Sequence, residues 1–326
     1  MKRAWTFLAI TILVVMSSCE LMTEDPAADK RMYLMTVALD YEDTSMNALR
    51  GAVNDQDAME RQIEFLCTEE GCDYTIISFS ARGGRYSRHE VVYSRRSGER
   101  IEYHEDIPRT AMKDMILAEL TSLSADITCK DIFMFHYAGH GADSSGDDDR
   151  HLNGALVVGD IVFPEIGSWQ EEEANQSSLI TIAELKMRLA YIDAPRVVML
   201  DSCYSGSLIG QSVGIDRVGD ILSSIRSMMY RGSGGNGRYY LFSACRDDEV
   251  SYEDSDRGQR HGFFSAALLE ALGYRFYDDG IEGPGLPDEP TITTSMLYER
   301  MRDEGLWEYQ SPQMNPYHVD LVLFTL

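Results

Sequence analysis

The chain has 326 residues, 44% of them hydrophobic and 25% charged, which supplies one large core or two modest ones and argues against a largely disordered polymer. Its formal charge is −25. A surface that acidic repels phosphate backbones, which argues against nucleic acid as a partner and favours basic peptides.

Residues 1–19 read as an export signal, because Lys2 and Arg3 precede an apolar run, Ala4 to Met16, that is too short to span a bilayer comfortably. The end of the run, Val15-Met16-Ser17-Ser18-Cys19, resembles a lipobox, in which small residues precede a cysteine that is lipidated and becomes the new N-terminus. An ordinary secretory signal with a chance cysteine is the plainer alternative. Residues 20–30 then form a polar tether, and the expected location is the cell envelope, held to a membrane through the lipid on its periplasmic or extracellular face. Beyond Cys19 there are five cysteines, Cys67, Cys72, Cys129, Cys203 and Cys245. The odd number leaves at least one thiol free where disulfides are permitted. Cys67 and Cys72, flanking Thr-Glu-Glu-Gly, either close a small loop or stay reduced.

From residue 31 to 326 the pattern is that of one α/β domain. Short apolar runs predict strands at Tyr33–Leu39, Tyr74–Phe79, Ile132–Tyr137, Arg196–Leu200, Tyr239–Phe242 and Val319–Phe324, mostly continuous as for strands covered on both faces. Apolar residues at three- and four-residue spacing predict covering helices at Ala48–Phe65, Ala111–Leu123, Ile182–Tyr191, Val218–Met229, Phe263–Leu272 and Ser295–Glu304. Residues 82–106 read as an arginine-rich insertion, with Val91–Tyr93 and Ile101–Tyr103 making a solvated hairpin about Ser97-Gly98. Stretches 142–150, 231–237 and 278–290 read as loops.

Open α/β sheets place ligands just beyond the carboxyl ends of their strands. Two such segments stand out: Tyr137-Ala138-Gly139-His140-Gly141 after the third predicted strand and Asp201-Ser202-Cys203-Tyr204-Ser205-Gly206 after the fourth. A cysteine thiolate attacks a carbonyl, and an imidazole titrating near neutrality supplies the proton that a departing amine requires. Glycines on both sides of His140 allow close approach of a peptide, and the amides of Gly141 and Cys203 are placed to receive a developing oxyanion. The pairing is thus that of acyl transfer, with His140 and Cys203 as catalytic residues.

HYAGHG and DSCYSG resemble the two catalytic motifs of the caspase-like peptidases, and the wording around the cysteine is closer to metacaspases and their bacterial relatives. Asn47–Asp55 is similar to the start of that family's first helix, Ser243–Glu253 to the loop after its fifth strand, His261–Leu272 to the next helix, and Gln310-Ser311-Pro312-Gln313 also fits. The resemblance implies a caspase-type six-stranded, mostly parallel sheet flanked by helices as an α/β/α sandwich. It also implies a cysteine endopeptidase with a His140/Cys203 dyad, cleaving proteins or peptides after Arg or Lys. Asp55 and Asp201 match the acidic residues of the metacaspase S1 pocket, and Ala138 stands where that pocket often has serine. No cofactor is required by this reading. Calcium activation, known in many metacaspases, meets a departure at Gly210, where a ligand would be expected; Asp143 and Asp147–Asp149 offer clustered carboxylates without a complete ligand spacing. Zinc-ligand spacing is absent.

Two rivals remain. Gly210-Gln211-Ser212-Val213-Gly214 fits the nucleophile elbow of serine hydrolases, but the elbow needs a strand directly before the serine and the nearest predicted one ends at Leu200. A non-catalytic caspase-fold lipoprotein that only binds partners is the alternative from another class, opposed by the intact dyad. His136, within a strand, and His261, at a helix start, read as structural. The flexible run 232–237 between Arg231 and Arg238 reads as a self-cleavage site.

Overall fold

The structure is a computed structural model, which describes residues 30–142, 155–161, 177–203, 205, 239–246, 249–254, 260–276, 281–303, 310–316 and 319–326. Its centre is one eight-stranded sheet. The strands are β1 (Arg31–Leu39), β2 (Asp73–Arg82), β3 (Arg85–Ser94), β4 (Glu99–Asp106), β5 (Ile132–Ala138), β6 (Arg196–Asp201), β7 (Tyr239–Ser243) and β8 (Gln313–Asn315). They lie in the order β8-β7-β6-β5-β1-β2-β3-β4. β7, β6, β5, β1 and β2 run parallel, and β8, β3 and β4 add antiparallel edges.

Among the described residues five α-helices cover the sheet: α1 (Ala52–Glu70), α2 (Met112–Asp126), α3 (Ile182–Leu189), α4 (Phe263–Ala271) and α5 (Thr294–Asp303). Alternation along β1 assigns them to faces, since successive strand side chains point opposite ways. Met32 and Leu34 pack with Met59 and Ile63 of α1 and with Leu268 of α4 and Leu297 of α5. Tyr33, Met35, Val37 and Leu39 pack with Ile116 and Leu120 of α2 and with Leu185 and Leu189 of α3. Both faces are therefore apolar, and β5 and β6 are buried along their whole length. Each of the largest buried side chains contributes roughly 1.5–3 kcal/mol by transfer from water. No helix among the described residues is long and apolar enough to cross a membrane.

The chain moves from β1 to β2 on one side and then returns to β5, β6 and β7 on the other, so the strand order reverses at the β1/β5 boundary. A crevice forms at such a switch point, at the carboxyl ends of the strands. In register there are Ala38 of β1, Ala138 of β5 and Asp201 of β6.

The architecture departs from the sequence reading in three places. The sheet has eight strands where six were predicted. The hairpin is part of it: β3 pairs with β2 from Tyr74↔Tyr93 to Arg82↔Arg85, and only β4 is exposed throughout. The final predicted strand is not in it. Val322–Thr325 pairs instead with Thr291–Thr293 in a separate ribbon, because Asp320 just before it accepts hydrogen bonds from the Thr294 hydroxyl and the Ser295 amide at the start of α5. The sheet edge is taken by β8. Predicted helix Val218–Met229 lies outside the described residues, as do Cys19, the Gly210–Gly214 motif, the 231–238 run, Asp143 and Asp147–Asp149.

Candidate active site

β5 ends in Ala138, and the chain turns out of the sheet as Gly139-His140-Gly141. The turn is held by buried tyrosines. The His140 amide donates to Tyr41 Oη at 2.9 Å, the Tyr137 hydroxyl donates to the His140 carbonyl at 2.7 Å, and the Tyr41 hydroxyl donates to the Val157 carbonyl at 2.6 Å. Tyr41 adopts φ of 58°, a left-handed conformation that bulky residues rarely take unless their surroundings hold them there. Its ring also packs against His140, with centroids 4.5 Å apart.

β6 ends in Asp201, followed at once by Ser202 and Cys203. The two turns are in contact: Gly139 N–H donates to the Asp201 carbonyl at 3.1 Å, and a Cβ on Gly141 would overlap the Cys203 carbonyl. Only glycine permits that approach, which brings the Gly141 and Cys203 backbones side by side.

His140 and Cys203 line one cleft with Ala138, Asp55 and Asp201, about 410 Å³ counted out to its mouth. Of the candidate site residues read from the two motifs and the first-helix segment, these five line the cleft, and Gly141 packs beside it against the Cys203 carbonyl. His140 Nε2 is 2.7 Å from the Asn47 carbonyl. A carbonyl only accepts, so Nε2 carries the hydrogen and Nδ1 keeps its lone pair. Burial lowers the His140 pKa, opposed by the bond to Asn47 and the charge of Glu253. Burial raises the Cys203 thiol, eased by the Ser251 carbonyl contact at 4.0 Å and reinforced by Asp201. Both shifts favour an uncharged resting pair.

The carboxylates are more deeply set. Asp55 is 1% exposed and Asp201 6%. Asp55 sits in the first turn of α1 rather than on a loop, and Asp201 closes β6. Asp201 Oδ1 accepts from the Ser251 hydroxyl at 2.7 Å and Oδ2 from the Ser265 amide at 3.0 Å. Asp55 Oδ2 accepts from the Gly262 amide at 3.0 Å, and Oδ1 faces His261 Nδ1 at 2.8 Å. Gly262 is thus wedged between the two, and a Cβ there would overlap the Asp201 carboxylate. These amides belong to the N-terminus of α4, whose dipole favours negative charge. Burial pushes Asp55 up to about 7, against the hydrogen bond to His261, and also raises Asp201, against the bonds from Ser251 and Ser265.

Several participants lie in segments that carry the family resemblance, but no sequence pattern assigned them a part in the cleft. Glu253 accepts from the amides of Gly51 and Arg50 at 2.7 and 3.2 Å and so anchors the start of α1 beside the cleft. Gln310 ties down the Ser251–Glu253 segment, accepting from the Tyr252 amide at 3.1 Å while donating to the Ala244 carbonyl at 3.0 Å. His261, which read as structural, is fully buried behind the cleft with Nδ1 2.8 Å from Asp55 Oδ1. His136 is buried with Nε2 3.2 Å from Ser265 Oγ, and burial lowers it to about 4. Cys67 and Cys72 are buried free thiols. Among the described residues no group of three or more His, Cys, Asp or Glu is arranged to hold a metal ion.

The caspase domain family model matches residues 36–279, most of the chain. Metacaspase-5 of Trypanosoma brucei brucei is 23% identical over 187 residues, covering 52% of this chain and 35% of its own length; the chain thus spans about a third of that relative. Among solved structures, a secreted C11 cysteine protease from Bacteroides thetaiotaomicron, in complex with an irreversible peptide inhibitor, aligns over 74% of this chain and 53% of its own, at 14% identity and a TM-score of 0.37. With the family's match running through the strands, helices and turns that build the cleft, this chain belongs to the caspase-domain family of cysteine peptidases.

Proposed function

We propose that the chain is a cysteine endopeptidase that cleaves after arginine or lysine, with Cys203 as nucleophile and His140 as acid and base. The observation that carries this reading is the single cleft shared by His140, Cys203, Asp55 and Asp201. The resting thiol is neutral, so attack is coupled to proton transfer. Cys203 Sγ bonds to the scissile carbonyl carbon as its proton passes to His140, whose Nδ1 is the open base. The oxyanion is received by the amides of Gly141 and Cys203. The imidazolium then protonates the leaving amine, the C–N bond breaks, and water hydrolyses the thioester.

Specificity follows from charge. Two carboxylates in a recessed pocket repel each other and have lost hydration, so a guanidinium or ammonium that approaches them from the cleft relieves both. At 4 Å and an effective dielectric near 20, one such contact amounts to about 4 kcal/mol before desolvation is subtracted. A P1 aspartate would add a third negative charge. Ala138, backed by Ala38 and Ala52, offers an apolar wall for the side-chain stem. Lipidation at Cys19 would hold the domain to a membrane of the cell envelope, where its substrates would be proteins or peptides with basic residues. Calcium activation has no complete ligand set to support it.

The test is a panel of matched fluorogenic peptides ending in Arg, Lys, Asp or Leu, assayed with the wild type and with Cys203→Ala, Asp201→Asn and Asp55→Asn. The expected result is preference for Arg and Lys, lost in the carboxylate variants and silent in Cys203→Ala. Preference for Asp, or undiminished Arg preference in both carboxylate variants, would overturn the pocket; a Cys203 that no thiol-directed peptidyl probe labels would favour a binding scaffold.

A further inference from the structure

Behind Asp55 lies a buried line of acid–base groups that the proposed mechanism does not use. His261 is fully buried where the chain enters α4. Its Nδ1 is 2.8 Å from Asp55 Oδ1 and its Nε2 is 2.9 Å from Glu282 Oε2. Glu282 is held in turn by Arg61, which donates to Oε1 at 2.9 Å, and by the Tyr274 hydroxyl, which donates to the same oxygen at 3.2 Å. Phe276 packs edge-on against the imidazole, with centroids 4.9 Å apart. Asp201 and Glu253 face the line across Gly262, Asp201 by packing on that glycine and Glu253 by pairing with it.

An imidazole with a carboxylate at each nitrogen satisfies both contacts only by donating from both, as imidazolium; a neutral ring turns one lone pair against an oxygen unless that carboxyl is itself protonated. In either arrangement one proton is shared along three groups whose positions are fixed by packing. We propose that His261, braced by Glu282, is a positioning residue that holds Asp55 ionised and oriented in the pocket wall, so that a basic P1 side chain is recognised through this shared proton. The proposal rests on the basic-P1 reading above. Burial drives Asp55 up to about 7 even with His261 opposing the shift; left alone at this depth it would keep its proton to still higher pH and stop attracting a cation. Burial would lower His261, but Asp55 and then Glu282 reverse that and raise it.

The sign of the pH effect follows. As pH falls through the Asp55 range the pocket loses a negative charge and KM for an Arg peptide rises. Removing His261 removes the opposition to burial, so this acid limb moves to higher pH. The experiment measures kcat/KM from about pH 5.5 to 9 for Arg and Leu peptides in wild type, His261→Gln and Glu282→Gln, together with the imidazole NMR titration of histidine-labelled protein without substrate. In His261→Gln the Arg value is expected to fall about tenfold, carried by KM, with the acid limb raised by about one pH unit and the Leu peptide losing much less. Glu282→Gln should act in the same direction more weakly. The His261 resonance should titrate above the ordinary histidine range in wild type and move down in Asp55→Asn and Glu282→Gln, a readout that stands even if His261→Gln fails to fold. Unchanged Arg preference and acid limb in both variants, or a His261 that titrates normally in wild type, would overturn the proposal. A wild type with no preference for Arg over Leu would overturn the basic pocket and with it the recognition role of His261, and the substrate-free titration separates that outcome from failure of the Asp55–His261–Glu282 line itself.

Discussion

At the nucleophile end of the cleft, His140 and Cys203 are only partly buried, the imidazole hydrogen-bonded at Nε2 to a backbone carbonyl and the thiol 4.0 Å from another. At the carboxylate end, Asp55 and Asp201 are almost fully buried and both oxygens of each are occupied. The difference separates two tasks. Groups that exchange protons during a reaction need a free lone pair and room for a reacting atom, whereas groups that recognise a charge work best when locked beforehand, because nothing then has to be ordered on binding. Ser251 joins the ends, its hydroxyl donating to Asp201 and its carbonyl facing Cys203.

The comparison breaks most completely at the reacting end. Cys203→Ala and His140→Ala should each lower turnover by about a thousandfold or more, with the double variant no worse than either, because the two act as one unit. Neither is buried enough for its loss to cost more than about 1 kcal/mol of stability. Turnover assays beside denaturant titrations check both statements, and additive losses would mean the pair does not act as a unit.

Gly141→Ala should come next, since its methyl group would displace the Cys203 carbonyl and part the two turns. We expect about a hundredfold loss of kcat and a stability cost of about 1–3 kcal/mol. Wild-type turnover and melting temperature in this variant would show that the turns are not packed against each other.

The smallest effect sharpens the comparison by touching the frame alone. Tyr41→Phe removes the acceptor of the His140 amide and the donor to the Val157 carbonyl. Each lost bond costs about 0.5–1.5 kcal/mol, more where a buried partner stays unsatisfied. Activity should fall only severalfold, visible in kcat with KM for the Arg peptide unmoved; a large KM effect would place Tyr41 in the binding end instead.

What could be read along the chain was whatever depends on near neighbours in sequence. β1, β2, β5, β6 and β7 appeared as apolar runs, because strands covered on both faces need no polar side chains. Five helices appeared through their spacing, and the turns after β5 and β6 through glycine and through the chemistry of histidine and cysteine. The start of α1 was set too early, at Ala48, because its boundary is made from afar: Leu49 N–H is taken by the Asp40 carbonyl, and Glu253 takes the amides of Arg50 and Gly51.

Only the tertiary structure decided which strands became neighbours and which buried charges met. Val322–Thr325 lies in an apolar run of the kind that predicts a sheet strand, but such a run reports that a segment is covered and not by what, so its partner, Thr291–Thr293, could not be named. The hairpin looked solvated because β4 is, while β3 is paired along its full length. Asp55 and Asp201 could be nominated from their motifs, but His261 and Glu282 could not be connected to them. A buried imidazole is stabilised by whatever carboxylates reach it in space, and the two that do so lie 206 and 21 residues away along the chain. Local propensity has no memory over such distances; packing does.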